Sequence, residues 1–350
     1  MPIPADQGFS MPAEWAPHRR CWMAWPCRKE LWGEHLEAAR TAYAEVAIAI
    51  SQFEPVTMLA NSGDVAEVSL SCGSSVSILP MDINDSWMRD VGPTFLTGPD
   101  GALAGVDWQF NGWGEKYTPY DKDAALAKAL LEQSEIRRFE APFVLEGGSI
   151  SVDGDGTVIT TEQCLLNPNR NPGMTRQEIE KQLCGHLGVQ KIIWLGEGLE
   201  DDETDGHVDN IACFAAPGVV LALTTDDPED GNRHALSDNL ERLRNAKDAK
   251  GRSLEVVEIE QPKRVEGDDG RRLGLSYINF YIANGGVVMP SFEDGNDDDA
   301  METIARCFPG REVVQVPALD IVRGGGGIHC ITQQQPAGPE ERSEDGDKDS

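Results

Sequence analysis

LEGGSISVDGDGTVITTEQCLLNPNRNPGMTRQEIEKQLCGHLGVQKIIWL, residues 145–195, reads as one structural unit from end to end. A polar loop, LEGGS, opens it. Two strand-like runs follow on either side of Asp153-Gly-Asp-Gly156, a turn pattern that joins antiparallel strands. Residues 175–187 then carry a helix. Thr175 with Glu178 three places on makes a capping box, and Gly188 sits just past the last turn. An apolar strand at 191–195 closes the unit.

The same succession recurs around the chain. Helical patterning covers 34–52, 121–133, 175–187, 234–248 and 296–308, and short apolar strands follow at 56–60, 136–139, 191–195, 254–259 and 312–316. Each strand leads into a polar loop: NDSWMRD at 84–90, LEGGS at 145–149, TDGHVDN at 204–210, YINFY at 277–281 and GGGGIHC at 324–330. Hairpin turns are read at 98–101, 153–156, 216–218 and 284–286. The fifth hairpin has one run, 328–332, whose partner is expected at 20–25. That pairing closes the units into a ring without a free sheet edge. The five loops then meet at one end of the ring's axis. No break in composition divides 1–336 into two domains, and 337–350 is a polar acidic tail expected to be disordered.

Bulk properties exclude several classes. The chain of 350 residues has 60 acidic against 30 basic residues, a net charge of −30, so nucleic acid is not an expected partner. The balance suits a cationic small molecule, although most of these charges are also what a solvated surface needs. No run approaches a membrane helix, and the proline-bearing N-terminus lacks an export segment, so a cytoplasmic location is expected. The eight cysteines form no C-x-x-C pair and are expected to be free thiols, with Cys184 and Cys213 as small buried hydrophobes.

Within the loops, Cys330 follows four glycines, which allow close approach of backbone to a ligand. Alone it reads as a core cysteine; beside a histidine and acids from matching loops it reads as a nucleophile. His207 and Asp209 are two apart and share a side if the segment is extended. Glu146 could accept from His207 and orient it; the alternatives are an ordinary exposed acid beside a bulge at Gly147-Gly148 and, for His207 by itself, a surface histidine in an acidic loop. Asp85, Trp87, Arg89 and Asp90 form a polar-aromatic cluster in which Asp90 is suited to clamp a planar cation with Trp87 packed beside it; the bland alternative is an Arg89–Asp surface pair and a core tryptophan. Asp201–Gly206 begins like a calcium loop, but the twelfth position is Ala212 rather than glutamate. Gly324–Gly327 lacks the lysine of a phosphate-binding loop. Zinc on His207, Asp209, His329 and Cys330 has no close-spaced ligand pair to support it.

Taken together, MPAEWAPHRRCWMAWP (11–26), NDSWMRDVGPTF, LEGGSISVDGDGTVITTEQCLLNPNRNP (145–172), DETDGHVDN and GGGGIHCITQQQP (324–336) resemble the agmatine deiminases, relatives of the bacterial-type peptidyl-arginine deiminases in the guanidine-modifying (pentein) superfamily. Within 108–117, Gln109, Gly112 and Glu115 depart from the family pattern. The resemblance implies a fivefold pseudo-symmetric α/β propeller of ββαβ-like units. It also implies roles: Cys330 as nucleophile, His207 as acid/base, Glu146 as its partner, Asp90 and Asp209 as guanidinium-binding acids, and Trp87 and Glu203 near bound substrate. Agmatine lacks the carboxylate of arginine, and no basic residue near these motifs is an obvious partner for that carboxylate, with Arg19 and Arg20 the exceptions to consider, whereas Glu203 and Asp205 are available for a terminal ammonium. Asp85 joins the expected substrate shell. Neither metal nor cofactor is expected, and the family implies a homo-oligomer. The alternatives are another guanidine or peptidyl-arginine deiminase, a non-catalytic binding module of the same fold, and a zinc hydrolase.

Overall fold

The computed structural model describes residues 2–338, so of the expected tail only Ala337 and Gly338 fall within it and residues 339–350 lie outside. Ala337 is buried, and its N–H donates to Pro17 O at 2.8 Å.

Four three-stranded sheets share one construction. Thr94–Thr97, Leu103–Gln109 and Arg137–Val144 form the first; Ser151–Val152, Thr157–Thr161 and Lys191–Leu195 the second. Ala212–Ala216, Val219–Thr224 and Glu255–Glu260 form the third; Tyr281–Ala283, Gly286–Ser291 and Glu312–Pro317 the fourth. In each, the first two strands are an antiparallel hairpin and the third joins the second in parallel. A parallel pair needs a crossover, and a helix supplies it every time: Asp121–Gln133, Arg176–Leu187, Arg233–Asn245 and Asp297–Cys307. The capping box of Thr175 and Glu178 is present, and Gly188 ends that helix at φ +70°.

The fifth sheet closes the chain on itself. Thr332–Pro336 pairs antiparallel with His18–Ala24, which runs parallel to Val56–Ala60 across the helix Leu36–Ser51. The closing strand therefore lies four residues beyond its expected position. Residues 328–331 are bent into the turn that carries Cys330 instead of extending as a strand. This sheet also holds a fourth strand, Val76–Pro80, reached through the helix Val65–Cys72, which the fivefold pattern did not anticipate. First strands of neighbouring units pack side by side, Thr332–Pro336 on Thr94–Thr97 and Ser151–Val152 on Ala212–Ala216. The expected α/β architecture of five similar units stands.

Apolar side chains fill the space between sheets and crossover helices, with Val46, Ile50, Leu130, Leu183, Leu243 and Ile304 all fully buried or nearly so. All eight cysteines are free; Cys184 and Cys213 are half-buried rather than buried. No helix among the described residues is long and apolar enough to cross a membrane.

Candidate active site

All five loops bring polar side chains to one place. The loop before His207 is shaped by Asp202. Its carboxylate accepts from Thr204 N (2.9 Å), Thr204 Oγ1 (2.7 Å) and Gly206 N (3.1 Å). Thr204 Oγ1 in turn accepts from His207 N at 3.2 Å. Asp209 follows in the short helical turn Val208–Asn210, so the backbone between it and His207 is not extended as expected, yet both side chains still reach the site.

Gly148 marks the convergence. A methyl group there would stand 2.5 Å from His207 Nδ1, 2.8 Å from Asp209 Oδ2 and 3.1 Å from Asp90 Oδ1, so only glycine fits among the three. His207 Nε2 lies 3.7 Å from Glu146 Oε2 and Nδ1 lies 3.9 Å from Asp90 Oδ1. The imidazole is fully buried, and neither ring nitrogen has a hydrogen-bond partner, an arrangement that suits a group waiting for a ligand. Cys330 Sγ is 3.5 Å from Asp209 Oδ2 and 3.2 Å from Asn279 Nδ2. Gly326 is required beside it, because a methyl there would press to 2.6 Å from the Trp87 ring and 3.1 Å from Cys330 Sγ.

Cys330, Asp90, Trp87 and Glu203 line one small cavity, walled also by Trp113, Tyr117, Leu31 and the glycines 324–326. A wider vestibule lies outside and shares Glu203, Tyr117 and Gly325 with it. Two expected members of the substrate shell stand elsewhere. Asp85 is buried against Arg28 Nε (3.1 Å) and caps Ser86 N (2.8 Å), so its oxygens are committed away from the cavity. Asp205 accepts from Lys116 Nζ (2.8 Å), Asn169 Nδ2 (3.0 Å) and Arg170 (2.8 Å) and does not line the cavity, whereas Glu203 does. Arg89 is not in a surface pair: it is buried and donates to His329 O and Glu14.

Several residues of the site carried no assignment in the sequence reading. Trp113 Nε1 donates to Asp90 Oδ2 at 2.9 Å, while Gly148 N donates to Asp90 Oδ1 at 2.9 Å, so both oxygens of Asp90 are fixed. Trp113 sits at φ +56°, uncommon for a bulky residue, and that was not readable from its neighbours. Asn279 is the centre of YINFY; its Oδ1 accepts from His329 N at 2.8 Å while its amide faces the sulfur. Arg271, at the mouth, binds Glu203 Oε1 and Asp269 Oδ2, each at 2.5 Å.

The charges set proton positions. Burial works against ionised His207, but Asp90 and Glu146 outweigh it and hold the imidazole's pKa well above its ordinary value. Burial likewise opposes the Glu146 carboxylate, and His207 with Arg170 lowers it below the usual range. Burial, then Asp209 and Asp90, push the Cys330 thiol well up. Without ligand the site therefore holds a protonated histidine, a neutral thiol and a surplus of acid, which a planar cation would neutralise.

The family described as Porphyromonas-type peptidyl-arginine deiminase matches residues 10–336 of this chain. A protein of Legionella pneumophila (strain Paris) is 53% identical over 336 residues, covering 95% of this chain and 97% of its own length. The agmatine deiminase of Pseudomonas aeruginosa (strain LESB58) is 46% identical over 358 residues, with 95% and 97% covered. Among solved structures, the agmatine deiminase of Enterococcus faecalis superposes with a TM-score of 0.93 at 39% identity, over 96% of this chain and 98% of that one.

Proposed function

The chain belongs to the Porphyromonas-type peptidyl-arginine deiminase family, and from that membership and the geometry of its cavity we propose that it hydrolyses agmatine to N-carbamoylputrescine and ammonia. The observation that carries the reading is the clustering of Cys330, His207, Glu146, Asp90 and Asp209, with Cys330 and Asp90 on the wall of one small tryptophan-lined cavity.

A guanidinium resists attack because its charge is delocalised over three nitrogens. Asp90 and Asp209 bind its N–H groups and turn the central carbon toward Cys330. The arriving cation also offsets the two acids that hold the thiol protonated, so when substrate is present the thiol loses its proton to solvent and the thiolate forms. Sulfur adds to the carbon, His207 protonates the departing nitrogen, and ammonia leaves with the C–N electron pair. An amidino-thioether remains on Cys330. His207, now neutral, takes a proton from water as the water's oxygen adds to the same carbon. Collapse breaks the C–S bond with its electron pair leaving on sulfur, the hydroxyl proton passes to that sulfur, and the urea and the Cys330 thiol are released. Each step uses this chain's own groups and water.

Glu203 supports the choice of agmatine over arginine: it puts a carboxylate on the cavity wall where the far end of the substrate would lie. Arg271, a guanidinium at the mouth that meets Glu203, is already paired with two acids. Comparing ammonia release from agmatine, free arginine and a blocked arginine peptide tests the reading; preference for the peptide overturns it. A single catalytic domain, a cytoplasmic location and a homo-oligomer belong to the same proposal. The eight free thiols fit a reducing compartment, and light scattering of the purified chain tests the assembly.

A further inference from the structure

Arg170 lies in the turn between the second sheet's hairpin and its crossover helix, in a segment to which the mechanism above gives no part. Its side chain is fully buried and spends every arm on the two loops that carry the acid/base pair. Nε donates to Glu146 Oε1 at 2.7 Å, Nη2 to Thr204 O at 2.9 Å, and Nη1 to Asp205 Oδ2 at 2.8 Å. Thr204 and Asp205 are three and two residues before His207. The neighbours of Arg170 are tied to the same two loops. Asn171 exchanges two hydrogen bonds of 2.9 Å with the backbone of Val144, two residues before Glu146. Asn169 Nδ2 donates to Asp205 Oδ2 at 3.0 Å.

We propose that Arg170 is a positioning residue for the deimination reaction: one rigid guanidinium sets the spacing of Glu146 and His207 and keeps Glu146 ionised, so that its second oxygen stays free to face the imidazole. The inference rests on the reading of the site as a deiminase. The geometry supports it because Oε1 of Glu146 is fully taken by Arg170, leaving Oε2 toward His207 Nε2 (3.7 Å) and Cys164 Sγ (3.9 Å). The groups facing Glu146 are thus Arg170 and His207 as cations, Cys164 as a neutral thiol, and Asp90 as an anion acting across the imidazole. Arg170 is the one cation among them that cannot give up its proton. A lysine preserves the charge but lacks the planar fork that spans both loops. Removing the charge leaves Glu146 and His207 to bind a proton more readily. The limb on which activity falls toward acid then moves to higher pH.

The test compares wild type, Arg170→Gln and Arg170→Lys for kcat, KM and the pH profile of kcat with agmatine, with circular dichroism to establish folding. Folded R170Q is expected to lose about 100-fold in kcat, the scale of acid/base assistance, with KM little changed. Its acid limb is expected about one pH unit higher, the response to a buried charge removed at contact distance. R170K is expected to lose about tenfold in kcat with its acid limb close to wild type. Folded R170Q with near-normal kcat, or with an unmoved acid limb, overturns the proposal. If R170Q does not fold, R170K decides: a wild-type rate overturns it, and a lowered rate with the limb retained supports it. A wild-type protein inert toward agmatine counts against the deiminase reading instead. Arg170 is then judged by the NMR titration of the His207 ring, which must move to higher pH in R170Q for the proposal to survive.

Discussion

His329 Nδ1 stands 2.8 Å from Asp209 Oδ2, the same oxygen that faces Cys330 Sγ at 3.5 Å. The other ring nitrogen of His329 reaches the Glu14 carboxylate at 3.0 Å and 3.1 Å, and Arg89 closes the chain on Glu14 at 3.4 Å. Asp209 is thereby held from behind by a buried sequence of alternating charges while its other oxygen has no partner.

That sequence makes a stability prediction. Burial opposes ionisation of Glu14, but His329 and Arg89 outweigh it and lower its pKa from 4.5 to about 2. A depressed carboxylate stabilises the fold above its unfolded value of 4.5, and the contribution disappears as pH falls toward 2. The shift corresponds to about 3 kcal/mol. Urea midpoints of wild type are expected to fall steeply across that window, and Glu14→Gln should be weaker at neutral pH and flatter through it. Parallel curves for the two proteins would count against the coupling.

Trp113→Phe keeps most of the ring and deletes the hydrogen bond to Asp90. A bond to a charged group is worth about 1.5–3 kcal/mol, so kcat/KM for agmatine should fall about tenfold or more. An unchanged kcat/KM would mean that Asp90 needs no such support.

The neutral resting thiol of Cys330 has a kinetic signature. Its iodoacetamide alkylation should be slow at neutral pH and rise roughly tenfold per pH unit until the raised pKa is reached. Asp209→Asn removes an anion that disfavours the thiolate and should speed alkylation at a fixed pH. A cationic haloacetamidine, which brings its own positive charge, should react much faster than the neutral reagent. Equal rates for the two reagents would argue against substrate-assisted ionisation.

Glu203→Gln separates the two ends of the substrate. KM for agmatine should rise about tenfold, the scale of one partly buried charge contact, while butylguanidine, which lacks the amine, should be little affected. Equal effects on both would move Glu203 from recognition of the ammonium to general support of the cavity.

Much of this was readable before any coordinates. The order of elements follows from period, caps and turn residues, which are local signals: the Thr175–Glu178 box, Gly188 and the four hairpin turns all appear where the patterns put them. The position of the closing strand did not follow. Residues 328–332 have a strand-like composition, but the loop must bend there to present Cys330, so pairing with His18–Ala24 begins only at Thr332. The residues that bear the chemistry were legible as motif residues. Their supports, Arg170, Asn279, Trp113 and Glu14, were not, because they act across gaps of up to 315 residues that no local pattern encodes. Asp85 and Asp205 illustrate the reverse error. Both lie beside motif residues in sequence, and both spend their carboxylates on arginines.

Acid quenching of agmatine turnover followed by mass spectrometry of the Cys330 peptide tests the covalent step most directly. The expected result is a peptide heavier by the mass of agmatine less ammonia, absent from Cys330→Ala, which should fold normally and release no ammonia, while wild-type turnover should be the same with or without chelator. An adduct on another cysteine, or steady turnover by Cys330→Ala, would contradict the account.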